Sequence, residues 1–139
     1  MDVPEFFNAK EFQRWYDQAE DALRSAQNDA KSGDYNWCCF KCQQSGEYAL
    51  KALLRGYGQP AYGHSILKLT ENLEELAMLN IKELKAAARC LDRHYIPSRY
   101  PNAYAAGSPF EFYDESTARE AIGAARKVLE LVNIGRGNQ

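Results

Sequence analysis

The chain has 139 residues, 45% of them hydrophobic and 26% charged, with a formal charge of −2. That length supports one domain with its own core, the composition excludes a disordered chain, and the charge excludes a generally basic nucleic-acid coat. No apolar run approaches a membrane span, the opening Met1-Asp2-Val3-Pro4-Glu5 lacks a basic-then-apolar leader, and four cysteines, Cys38 and Cys39 adjacent, read as reduced cytoplasmic thiols.

Helical periodicity runs through the chain. Asn8 with Glu11 three residues on reads as an N-cap with a reciprocal acidic partner. Phe12, Trp15, Tyr16, Ala19, Ala22, Leu23 and Ala26 then recur at three-and-four spacing on one helix face. Ser32-Gly33 closes this helix and Asp34 is placed to cap the next. The second helix, residues 34–57, carries two stripes. Cys38, Cys42, Ser45, Ala49, Ala52 and Gly56 form a groove of small side chains, whereas Lys41, Gln44, Tyr48, Lys51 and Arg55 form a polar, basic stripe. Apolar residues flank both, so this helix is expected at the centre of a bundle.

A glycine-rich loop spans residues 56–63. A third helix follows from His64 or Ser65, with Ile66, Leu69, Leu73 and Leu76 on one face. Asn80 and Glu83 repeat the capping pattern ahead of a fourth helix carrying Leu84, Ala87, Ala88, Leu91 and Tyr95, which must end near Ile96 because Pro97 follows. Residues 96–113 show no period, a long loop for a compact domain. Asp114 opens a last helix with Ala118, Ala121, Ile122, Ala125, Val128, Leu129 and Val132. The predicted fold is all-α: an antiparallel up-and-down bundle of four to five helices, residues 1–139 forming a single domain.

Three constellations carry candidate chemistry. Gly58-Gln-Pro-Ala-Tyr-Gly63-His64-Ser65 has P-loop spacing, but a helix precedes it, Pro60 stiffens the turn and His64 replaces the lysine, so the match lacks its context. What survives is His64 beside a helix start, either facing an anion or serving as a capping residue. Cys38 and Cys42, with Cys90 and His94, form two one-turn pairs that on facing helices would supply a tetrahedral zinc site. The competing reading is that buried free cysteines are compact apolar side chains, and no metal is expected. Third, the run from Asp92 to Tyr104 concentrates Arg93, Arg99, Tyr95, Tyr100 and Tyr104 around Pro97. Arginine forks bind phosphate and tyrosine rings stack on bases. The alternative has Arg99 satisfying backbone carbonyls or a carboxylate such as Asp92, with the tyrosines completing the core.

Several of these segments together resemble a HEPN domain: Trp15 with Gln18-Ala19; the run from Cys39 through Lys41-Cys42-Gln43-Gln44-Ser45-Gly46-Glu47-Tyr48 to Leu54; His64-Ser65-Ile66; Leu91-Asp92; Tyr95-Ile96-Pro97-Ser98-Arg99-Tyr100-Pro101; and the alanine-rich last helix. The resemblance is strongest to the branch related to the sacsin C-terminal domain and to prokaryotic partners of minimal nucleotidyltransferases. It implies a dimerising helical bundle that binds nucleotides or RNA. Many members are metal-independent endoribonuclease toxins whose Arg, four to six residues and His act on the ribose 2′-hydroxyl and the phosphate. Here Arg99 falls on the family arginine but Tyr104 occupies the histidine slot, and an unperturbed tyrosine titrates near pH 10, too high for proton transfer at neutral pH. Arg89 and His94 also satisfy the spacing, but five residues apart on one helix they diverge by about 140°.

The resulting expectation is a cytoplasmic, homodimeric, nucleotide- or RNA-binding protein without catalysis of its own or a cofactor. It would act beside a separate minimal nucleotidyltransferase in a toxin–antitoxin-like pair. Arg99 would contact phosphate, Tyr95, Tyr100 and Tyr104 would shape the site, and Lys51, Glu47 and His64 would orient it. The rivals are an endoribonuclease toxin using Arg89 and His94, and a structural dimerisation module. The small-residue groove and the aromatic loop are the candidate dimer faces.

Overall fold

The computed structural model describes residues 6–76 and 79–137; the five N-terminal residues, read above for a leader, lie outside them. Among the described residues there are five α-helices and no strand: α1 Ala9–Lys31, α2 Tyr35–Gly56, α3 Ile66–Glu71, α4 Ile81–Asp92 and α5 Glu115–Gly135. Short 3-10 turns at Pro101–Ala103 and Pro109–Phe112 order the long segment between α4 and α5. None of these helices is long and apolar enough to cross a membrane.

The helix starts follow local chemistry. Asn8 Oδ1, Asn80 Oδ1 and Asp114 Oδ1 accept from the N–H groups of Glu11, Glu83 and Thr117 at 3.0, 3.1 and 2.9 Å, each satisfying a donor the helix cannot. Two expectations fail in detail. The Asn8 N–H donates to the Gly56 carbonyl at 2.7 Å, and Glu11 instead accepts from Trp15 Nε1 and pairs with Arg14, so the reciprocal cap does not form. Asp34 precedes α2 without making a side-chain cap bond. Gly33, at φ +82°, supplies the left-handed residue that turns α1 back into α2.

The centre of the bundle is α2. Its small residues Cys38, Cys42, Ser45, Ala49, Ala52 and Gly56 are all buried. Ser45 Oγ donates to the Ala19 carbonyl at 2.7 Å, and a Cβ on Gly56 would come within 2.5 Å of the Phe7 ring. The groove is therefore filled by α1 and its approach in the same chain, which removes it as a dimer face. Helix α5 completes the core: Tyr16 and Tyr57 donate their hydroxyls to the carbonyls of Leu129 and Gly135, both at 3.0 Å. These bonds place the end of α5 beside the start of α1 and the end of α2. Glu83 near Lys127 and Cys90 near Glu120 show α4 antiparallel to α5. The up-and-down order is the predicted one.

Two helices are shorter than their periodicity predicts. α3 stops at Glu71, and Leu73 is buried from the following turn rather than from the helix. α4 stops at Asp92, one turn before Ile96. Pro97 has no N–H for the carbonyl four residues back, and its ring crowds that carbonyl, so the helical path is lost from residue 93 on.

Candidate functional site

The turn that replaces the end of α4 holds Arg99. Its backbone N–H donates to the Ile96 carbonyl at 3.1 Å. Buried Ser98 ties the turn down from both sides: its hydroxyl donates to the His94 carbonyl, and its own carbonyl accepts from Asn36 Nδ2 of α2 at 3.1 Å. Anchored there, the half-buried Arg99 guanidinium sits 4.2 Å from the Phe40 ring centre, 4.6 Å from Tyr95 and 4.9 Å from Tyr100. Nε and Nη2 donate to the Tyr95 carbonyl at 3.0 and 2.8 Å. Arginine has five N–H donors, and the remaining three meet no acceptor among the described residues, nor does any carboxylate there pair with this side chain. Ring faces attract a cation, about 0.5–2 kcal/mol each, but they do not neutralise it. The Arg99 charge thus has no carboxylate counterpart among the described residues, at a partly open surface.

A second cluster abuts the first. The His64 ring stacks on Tyr95, centres 4.9 Å apart and planes 17° from parallel. Its Nδ1 lies 3.2 Å from Glu47 Oε1, while the side chain stays 60% exposed. Glu47 is only 3% exposed and also takes Lys51 Nζ at 3.0 Å and Gln44 Nε2 at 3.4 Å. Such a carboxylate is tolerated inside because each oxygen is engaged. Asp92 is not the acid of Arg99. It accepts from the N–H groups of Ile66 and Leu67 at 2.9 and 3.0 Å and from Ser65 Oγ at 3.1 Å, tying α4 to the start of α3. Gln43 Nε2 adds bonds to the His64 carbonyl, 2.6 Å, and to Asp92, 3.3 Å, so α2, α3 and α4 jointly fix His64.

Of the residues singled out in the sequence, Arg99, Tyr95, Tyr100, His64, Glu47 and Lys51 fall into this one contiguous patch. Tyr104 is committed elsewhere: its hydroxyl donates to the Pro97 carbonyl at 2.9 Å and its ring stacks on Phe112 at 4.2 Å. His94 is 5% exposed, with Nδ1 2.9 Å from the Tyr113 hydroxyl and Nε2 buried without a partner. Burial first, and Arg93 second, lower its pKa to about 4. Arg89 is exposed on the outside of α4, so the structure does not bring this pair into one site. Nor do the cysteines gather around His94: Cys38 and Cys42 are free thiols hydrogen-bonded to each other in the core, Cys90 Sγ lies 3.4 Å from Glu120, and no three potential metal ligands cluster among the described residues. Burial and the Glu120 bond push the Cys90 thiol up to about 11.

Sequence reasoning missed Phe40, the ring nearest to the Arg99 guanidinium. The signal was present, since Phe40 lies one helical turn before Gln44 and continues the polar stripe. It also missed the clamp made by Gln43 and Asp92, because contacts across 49 residues leave no trace in local periodicity.

A helical bundle with a charged, aromatic patch at the α4–α5 connection defines a class of small all-α proteins. The HEPN domain family model matches residues 12–135. The structure is similar to that of TT1696 from Thermus thermophilus, with 42% identity over 89% of this chain and 97% of that one, at a TM-score of 0.85. It is also similar to ST0689, an archaeal HEPN homologue, with 36% identity over 88% of this chain and 94% of that one, at a TM-score of 0.73. A HEPN domain protein from Thermotoga maritima, TM0613, is 28% identical over 91% of this chain and 99% of its own, at a TM-score of 0.71. No curated protein sequence matches significantly. The chain belongs to the HEPN domain family.

Proposed function

We propose that this chain is a nucleotide- or RNA-binding HEPN protein that dimerises, does no catalysis itself and works with a separate minimal nucleotidyltransferase. The observation that carries the binding role is the state of Arg99: a half-buried guanidinium with no carboxylate partner among the described residues, framed by Phe40, Tyr95 and Tyr100. An uncompensated cation with ring faces beside it suits a phosphate and its attached base. His64 and Lys51, both oriented by Glu47, supply further donors on the same side. A ribonuclease role for Arg89 and His94 draws no support from this geometry, because a neutral, buried imidazole has no route to a ribose hydroxyl. Exposed Trp37, Ile96, Phe110 and Phe112, on α2 and the aromatic segment, give a second copy or the partner an apolar surface.

Calorimetric titration of common nucleotides and short RNAs into the wild type and Arg99→Ala tests the reading. The expected result is a loss of affinity of at least tenfold in the variant with its melting temperature nearly unchanged. No binding by the wild type, or a large fall in the variant's stability, would instead make Arg99 a structural residue.

A further inference from the structure

The patch at Arg99 continues along α2. From Cys38 to Gly56 the positions of this helix that are not buried are Phe40, Lys41, Gln44, Tyr48, Lys51 and Arg55. They hold two lysines, an arginine and two aromatic rings, and no acid. Lys41 and Lys51 are paired with Asp29 at 2.8 Å and with Glu47 at 3.0 Å, so the cations without a carboxylate partner among the described residues are Arg55 on this edge and Arg99 beside its start. The far end repeats the pattern of the near one. The half-buried Arg55 guanidinium lies 5.5 Å from the Trp15 ring centre, and the side chain makes no hydrogen bond or ion pair among the described residues. Arg55 lines a 410 Å³ surface cavity with Glu11, Gly58, Gln59, Pro60 and Tyr62, whose ring is 82% exposed. Glu11, the one carboxylate there, is held by Trp15 Nε1 at 3.0 Å and Arg14 at 3.2 Å. Trp15 and Tyr48 also wall an adjoining recess of 260 Å³.

Two guanidiniums without a carboxylate partner among the described residues, each against aromatic rings, therefore mark the two ends of one half-buried helix edge. Phe40 and Arg55 are fifteen residues apart, about 22 Å along the axis. That span exceeds a mononucleotide. At the near end Arg99 is half-buried and the His64 side chain beside it is 60% exposed. Cations interleaved with aromatic rings along a strip of this length are the arrangement that holds a single-stranded backbone.

We infer that the edge of α2 is a track for single-stranded nucleic acid, with Arg99 at one end and a second subsite at Arg55, Trp15 and Tyr62 at the other. This inference rests on the nucleotide-binding reading of Arg99 and extends it from a point contact to a strand.

Fluorescence anisotropy with labelled oligoadenylates of two and eight nucleotides, beside AMP as competitor, separates the two claims. The octamer is expected to bind at least tenfold more tightly than the dinucleotide. Arg55→Ala and Tyr62→Ala should remove most of that gain while leaving AMP and dinucleotide affinity unchanged; the exposed Tyr62 guards against misfolding as the explanation. The slope of log affinity against log salt for the octamer should also fall by about 0.7 in Arg55→Ala. Equal affinity for both lengths, or octamer binding indifferent to Arg55 and Tyr62, overturns the track and leaves the Arg99 site standing. An oligoglutamate of equal charge that binds as well as the octamer overturns the nucleic-acid assignment. No binding of AMP or either oligonucleotide defeats both claims.

Discussion

The Arg99 charge is uncompensated among the described residues because rings and one backbone carbonyl surround it rather than an acid. The contrast with Lys51 is instructive: Lys51 is 11% exposed and spends its charge on Glu47 one turn away. The two cations sit on adjoining surfaces, yet only the arginine lacks a carboxylate partner among the described residues. His94 shows the opposite extreme, an ionisable group that the fold holds neutral. With a pKa near 4 in the fold against about 6.5 unfolded, it is uncharged in both states above pH 6.5. Between pH 6.5 and 4 the unfolded chain takes up a proton that the fold refuses. Stability should therefore fall as pH falls through that window, by about 3 kcal/mol in all. Urea unfolding of the wild type and His94→Phe across this range checks the claim. The variant should lose most of the pH slope, and an unchanged slope would assign the titration to another group.

Among the elements, the connection of α4 to α3 depends on a single carboxylate. Asp92 satisfies two backbone donors at the start of a six-residue helix too short to hold itself together. Asp92→Ala leaves these donors half-buried without an acceptor and should cost about 2 kcal/mol in urea unfolding, with Asp92→Asn losing less. No change in either would mean that α3 is held by Ile66 and Leu69 packing alone. This contact also illustrates what sequence can and cannot convey. The second helix was legible as the central one because its small and polar stripes repeat at helical spacing. The caps at Asn80 and Asp114 were legible because they act within one turn. Of the two partners weighed for Arg99, a backbone carbonyl or an acid such as Asp92, the fold supplies the Tyr95 carbonyl and turns the Asp92 carboxylate toward α3, a choice that sequence spacing alone did not decide. The helix ends at Glu71 and Asp92 were overshot for a related reason: apolar spacing records which side chains face the core, and turns can satisfy it as well as helices.

At the scale of the whole molecule, the other helices enclose α2 so fully that from Cys38 onward its open face is the strip from Phe40 to Arg55. The family and the bundle were legible because they are written in many positions at once. The candidate patch was legible in part, since Arg99, Tyr95, Tyr100, His64, Glu47 and Lys51 do converge, while Tyr104 turns to the Pro97 carbonyl and the exposed Phe112 ring. Tyr104 is drawn off by the Pro97 carbonyl and the Phe112 ring, contacts of the irregular segment after Pro101 that no helical spacing records. The most direct test of the central claim is an NMR titration that follows the Arg99 Nε–H and the His64 ring as AMP or a short RNA is added. The expected result is saturable movement of both signals together, at the affinity found by calorimetry. Saturable shifts confined to other residues, with the Arg99 Nε–H unmoved, would contradict it.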